Sequence, residues 1–188
     1  MYQVALFINI MGVICLMGGH TLLHVGLERM RRAHTVEQVR EWTAILAKLD
    51  RFMPPFTLAV VLPGLYMAFT NWGWVTAWID VSLAVFVVMM ILGPLLLGRR
   101  FAALHKAVLA SPSGAIQEAL ASQIRDRTLW TIEHTFTSLL LAILFLMTVK
   151  PNLLGTVIVV SIGLIVGFLS TVRMRRVALS PALPSSSA

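Results

Sequence analysis

Residues 75–98 read VTAWIDVSLAVFVVMMILGPLLLG and carry one charged side chain, Asp80, in 24 positions. About 20 mostly apolar residues are enough for a helix to cross the hydrocarbon core of a bilayer. Four further stretches of this kind occur, at residues 4–27, 53–71, 129–149 and 153–171. None alternates apolar and polar residues with a period of two, so the sequence predicts helices. We therefore expect an all-α integral membrane bundle with five transmembrane helices.

The composition agrees with a membrane protein. Of 188 residues, 58% are hydrophobic and 12% are charged, whereas about a quarter of a soluble domain is charged. The composition therefore disfavours a soluble globule, a disordered chain and a disulfide scaffold. With Cys15 as the single cysteine, no internal disulfide can form. The net charge of +7 would suggest nucleic acid binding in a soluble domain, so the positions of the cations decide its meaning.

Fourteen of the fifteen Lys and Arg residues fall in segments 28–52 and 99–128 and after residue 171, and Lys150 is the exception. These three segments share one side of a five-span bundle. The excess of cations marks the cytoplasmic side. We therefore expect an outside N-terminus and a cytoplasmic C-terminus in the inner (cytoplasmic) membrane of a cell, with lipid rather than nucleic acid as the partner.

We expect one bundle domain over residues 1–176 and a disordered, Pro- and Ser-rich tail over 177–188. Amphipathic helices are predicted at about 35–52 and 115–127, and the first of them is expected to lie along the inner leaflet. Gly163 and Gly167 form a GxxxG pattern that is typical of close helix contacts and suggests a homo-oligomer.

Polar side chains inside a membrane are costly and usually functional. His20 and His24, four residues apart, share one face of the first span, and Glu133 and His134 begin the fourth. A rise of about 1.5 Å per residue places the three imidazoles at similar depths in the cytoplasmic half. We expect His20, His24 and His134 to bind haem b or, together with Glu133, a metal ion. Cross-helix hydrogen bonding is the structural alternative.

The chain resembles a family of bacterial predicted integral membrane proteins without assigned function. The resemblance rests on five segments: MGVICLMGGHTLLH (11–24), LDRFMPPFTLAVVLPGLYMA (49–68), NWGWVTAWI (71–79), ILGPLLLG (91–98) and LLLAILFLMTVKP (139–151). A first span that carries histidines is also distantly similar to copper-resistance D-type membrane proteins and to membrane protoporphyrinogen oxidases. Those two resemblances imply copper or porphyrin as a ligand.

Three functions follow as hypotheses. The leading one is electron transfer by a haem or metal centre, with the quinone pool or another membrane redox component as partner. The first alternative is the transport or handling of copper or another cation. The second is an accessory subunit of a larger membrane complex, which would need no cofactor. The sequence contains no hydrolase or nucleotide-binding motif, and whether the protein is an enzyme stays open.

Overall fold

A computed structural model describes residues 1–73 and 76–178, with the backbone alone for Trp72 and for residues 171–178. Seven α-helices follow one another in this part of the chain. They are α1 (Tyr2–Arg31), α2 (Val36–Met67), α3 (Ala77–Leu92), α4 (Arg99–Ala110), α5 (Glu118–Ile124), α6 (Arg127–Val149) and α7 (Leu153–Ala178). Two π-helical segments extend α2 over Ala68–Trp72 and join α3 to α4 over Gly93–Gly98. Apart from its first two residues, the predicted tail lies outside the described residues.

Five of the helical segments are long and apolar enough to cross a membrane, with mean hydropathies between 1.6 and 2.5. The predicted all-α bundle with five spans is therefore confirmed. The segments Val36–Asn71 and Ala77–Ala110 have 36 and 34 residues, about 50 Å at 1.5 Å per residue. The hydrocarbon core is about 30 Å thick. These segments therefore extend well beyond the apolar layer. The part of the bundle formed by the Lys- and Arg-bearing ends of the helices is called the basic end below.

Glycines on α1 fix its packing against α2. A Cβ atom would lie 2.9 Å from Val60 at Gly12, 2.6 Å from Met53 at Gly19, and 2.9 Å from Leu46 at Gly26. Each step of seven residues along α1 thus matches a step of seven back along α2. This is the spacing of an antiparallel coiled coil, in which residues of one helix fit into holes of the other. The missing side chains allow the two backbones to approach closely.

A buried amide lies at the end of the same seam that is farther from the basic end. The Asn9 side chain is 6% exposed, and its Nδ2 donates a 2.7 Å hydrogen bond to the carbonyl oxygen of Val60. Pro63 follows three residues later and has no N–H group to give to the α2 backbone. The Asn9 bond is therefore a polar link between α1 and α2 where α2 carries an internal proline.

Helix α6 forms the centre of the bundle. Its buried side chains include Phe136, Leu139, Leu140 and Ile143, which pack with Met89 of α3. On another side, α7 approaches closely: a Cβ at Gly167 would lie 2.5 Å from the Thr135 Cα atom, and one at Gly163 would lie 3.2 Å from Ala142 Cβ. The close helix contact predicted for Gly163 and Gly167 is thus made with α6 of the same chain. A contact with a second copy stays a prediction.

A second apolar core fills the basic end. Its buried members come from α1, α2, α4, α5 and α6: Leu27, Met30, Val36, Val39, Leu46, Leu104, Val108, Leu120, Ile124, Leu129 and Trp130. Segment 35–52 is therefore the first part of a continuous α2, and its apolar side is covered by α4 and α5. The expectation that it lies on the inner leaflet is wrong, because an amphipathic pattern does not reveal what covers the apolar side. Within the predicted helix 115–127, residues Glu118–Ile124 are helical and form α5.

The glycine seam predicts a matched pair of substitutions. Gly12→Ala places a methyl group 3.0 Å from backbone of α2, and overpacking of this kind costs about 1–3 kcal/mol. Gly18→Ala meets nothing within 4 Å and gains up to about 1 kcal/mol of helix propensity. We expect the free energy of unfolding in mixed micelles to fall for Gly12→Ala and to hold or rise for Gly18→Ala. Equal effects would contradict the seam.

Candidate intramembrane histidine site

The α1–α2 register gives the depth of the histidines. Because Gly19 contacts Met53 and Gly26 contacts Leu46, Lys48 of α2 lies level with His24. Residues Arg99 and Arg100, at the start of α4, lie near the same level, since Gly93 contacts Phe136 of α6. His24 is thus at the edge of the apolar layer, and His20 lies about 6 Å deeper.

Glu133 of α6 is the acidic residue of this site, and it is 0% exposed. Its Oε1 lies 3.6 Å from Nδ1 of His20 and accepts a weak 3.4 Å hydrogen bond from the hydroxyl of Thr137. Removing a carboxylate from water costs several kcal/mol unless partners offset it. His20 of α1 is therefore the neighbour that can offset part of this cost.

Next to this pair, aromatic rings from α1 and α6 form a cluster. The centroids of the His24 and His134 rings are 5.1 Å apart, with a tilt of 60° between the rings. Trp130 lies 6.0 Å from each of them, and the Arg31 guanidinium lies 5.5 Å above the Trp130 ring. These contacts connect Arg31 at the basic end, through Trp130, to the imidazoles of His24 and His134.

Three buried polar atoms of the site have no hydrogen-bond partner within the described protein: Nδ1 of His20, Oε2 of Glu133 and Nε2 of His134. Buried polar groups in native proteins are nearly always paired, so a local concentration of unpaired atoms needs a cause. In the described residues no three His, Cys, Asp or Glu side chains are arranged to hold one metal ion. The candidate ligands for one ion are therefore a pair of neighbouring imidazoles, those of His24 and His134.

Trp130 and Glu133, both near the start of α6, are buried. Trp130 is 3% exposed and its Nε1 donates to the Ile124 carbonyl, so it is part of the protein core and not of an interfacial aromatic belt. Asp126 caps α6 by accepting a hydrogen bond from the Thr128 N–H, so Glu133 is not the cap of this helix. Glu133 is almost two turns further along. Which side chains become buried depends on the neighbouring helices, and the local sequence does not show these.

Other polar residues lie outside this cluster. His34 and Asp80 are exposed, and His105 lies on α4, partly exposed. Gly18 faces open space whereas Gly19 is filled by Met53, so Gly19 belongs to the seam and does not provide a flat surface for a macrocycle. The contact between Trp130 and the imidazoles was missed by the sequence analysis, although Trp130 and His134 are four residues apart on one helix face.

A family model described as "Predicted integral membrane protein (DUF2269)" matches residues 3–151. The chain belongs to this family. The match includes α1 and the whole of α6 as far as Val149, so all four candidate residues lie within it. The resemblance to a family of predicted integral membrane proteins is thereby confirmed. No curated protein and no solved structure matches the chain, and the similarity to copper-resistance proteins is not shown.

The His20–Glu133 contact predicts non-additive stabilities. His20→Ala leaves the Glu133 carboxylate without its main partner, and an unsatisfied buried group costs about 1–3 kcal/mol. Adding Glu133→Gln should recover part of this loss, because a neutral amide is easier to bury. Unfolding free energies of the two single variants and the double variant should give an interaction energy of at least about 0.5 kcal/mol. Additive effects would show that the two side chains do not interact; exposed His34→Ala is the control.

Proposed function

We propose that this membrane protein binds haem b or a metal ion through His24 and His134 and serves electron transfer in the membrane. One observation carries the proposal: two imidazoles from different helices lie 5.1 Å apart, and the buried Nε2 of His134 lacks a hydrogen-bond partner in the described protein. Nitrogen–metal bonds are about 2 Å long. Two rings at this separation are close enough to share one ion.

The number of ligands favours haem. Structural zinc takes four protein ligands and catalytic zinc takes three, whereas a haem iron takes its axial ligands from one or two side chains. Two imidazoles meet the smaller requirement in number, and their rings would have to move apart from the 5.1 Å contact for a macrocycle to lie between them. A bound haem or redox metal would supply one-electron transfer. The chain contributes the ligating nitrogens and a buried Trp130 that shields them from water at the basic end.

The surroundings also suit a redox partner within the membrane. The site lies at the edge of the apolar layer, where the head group of a lipid-soluble carrier such as a quinone would come to rest. A quinone or another membrane redox component is therefore the partner that we propose.

We also propose that the basic end faces the cytoplasm of a bacterial cell, on the strength of the fourteen cations. A reporter that is active only in the cytoplasm, fused after Ala188, should be active. The same reporter fused ahead of Met1 should be inactive. The reverse pattern would place the basic end outside.

Spectroscopy of the detergent-purified protein tests the cofactor. We expect a Soret band and an α-band in the reduced-minus-oxidised spectrum, or about one metal ion per chain by elemental analysis. His24→Ala and His134→Ala should each abolish the signal, because each removes one of two ligands. His34→Ala, at an exposed position, should retain it. A wild-type protein with neither absorption bands nor stoichiometric metal would end the proposal.

A further inference from the structure

Helices α2 and α4 run antiparallel and are joined at their ends beyond the apolar layer. Arg40 donates a 3.1 Å hydrogen bond to the Ser111 carbonyl, and the Gly114 N–H donates at 3.0 Å to Glu37. From the Arg40–Ser111 contact, eleven residues along α2 lead to Arg51, and twelve residues back along α4 lead to Arg99. Since both helices rise about 1.5 Å per residue, Arg51 and Arg99 lie at one depth.

Helices α2 and α4 are in contact with each other. Leu49 of α2 and Phe101 of α4 pack against the same apolar core at the basic end. Lys48 precedes Leu49, and Arg99 lies two residues before Phe101. Lys48, Arg51 and Arg99 therefore form one group of cations on neighbouring helices, which we call the α2–α4 cation group.

The α2–α4 cation group keeps a net positive charge. All three of its side chains are exposed. Asp50 lies among them and removes one unit of charge. Arg100 is already paired with Asp126 of the α6 N-terminus, and α4 itself has no acidic residue. The side chains of the group together with Asp50 therefore carry a net charge of +2.

Exposed apolar side chains continue directly from the cations into the layer. Phe52 is 61% exposed, Leu58 is 53% exposed, and Leu95 of the π-helical segment is 43% exposed. Positive charge at the edge of the layer above exposed apolar surface matches the shape of a phospholipid, with a phosphate over two acyl chains. A basic pocket between membrane helices is a known way to hold an anionic headgroup.

We propose that the α2–α4 cation group binds the headgroup of an anionic phospholipid, with the acyl chains lying against Phe52 and Leu95. The proposal does not depend on the cofactor, because none of these residues belongs to the histidine site. A free phosphate would satisfy the charges alone. The exposed apolar surface below them is explained by a lipid and not by an inorganic ion.

Native mass spectrometry of the full-length protein in detergent tests the site, with phosphatidylglycerol and phosphatidylcholine of equal chain length as probes. The wild type should retain phosphatidylglycerol preferentially. Each basic side chain near an anionic surface strengthens binding about fivefold, so a Lys48→Gln/Arg51→Gln/Arg99→Gln variant should bind phosphatidylglycerol roughly a hundredfold more weakly. Phosphatidylcholine binding should not change.

The matched control is Arg29→Gln/Lys106→Gln/Arg125→Gln, which removes the same charge from exposed positions farther from the apolar layer. It should keep the preference for phosphatidylglycerol. Three results would overturn the proposal: no preference in the wild type, equal loss in the control, or displacement of the lipid by an equal concentration of inorganic phosphate. If the triple variant is not recovered folded, single substitutions, each expected to weaken binding about fivefold, decide the question.

Discussion

Close packing of α1 against α2 sets the geometry on which the rest of the protein depends. Glycines at positions 12, 19 and 26 accept Val60, Met53 and Leu46 of α2 in an antiparallel seven-residue register. Helices in lipid gain little from burying apolar side chains against each other, so dense van der Waals contact is a main source of their association. The seam leaves α2 no freedom to slide. It therefore fixes the depth of His20 and His24 relative to the cations of α2.

The register also explains why the polar site can exist. His24 lies level with Lys48 at the edge of the apolar layer, while Glu133 is one turn deeper and completely buried. The cost of removing an ionisable side chain from water is smaller at the edge of a bilayer than at its centre. Two helices, α1 and α6, each contribute one side of the site. Trp130 covers it toward the basic end and donates its N–H to the Ile124 carbonyl.

Sequence alone predicted the features that depend on composition. Long apolar runs gave five spans, and the distribution of Lys and Arg gave two chemically different ends. The four candidate side chains also lie together, because His20 and His24 share a face of α1 and α6 returns to the same depth. Their use as ligands stays a prediction. The seven-residue spacing of Gly12, Gly19 and Gly26 is visible in the sequence, but it was not predicted to form a helix contact, in contrast to the GxxxG of Gly163 and Gly167.

What the sequence could not provide was the identity of neighbours. The apolar side of segment 35–52 was assigned to lipid, because an amphipathic pattern suits an interface as well as a protein core. The order of the chain has a further consequence for assembly. His24 precedes His134 by 110 residues, which ribosomes take roughly 5 to 20 seconds to synthesise. During that interval α1 can already pack against α2 through its glycines. The imidazole of His24 contacts His134 and Trp130 only after α6 has been synthesised. Completion of the site is therefore a late event in biosynthesis.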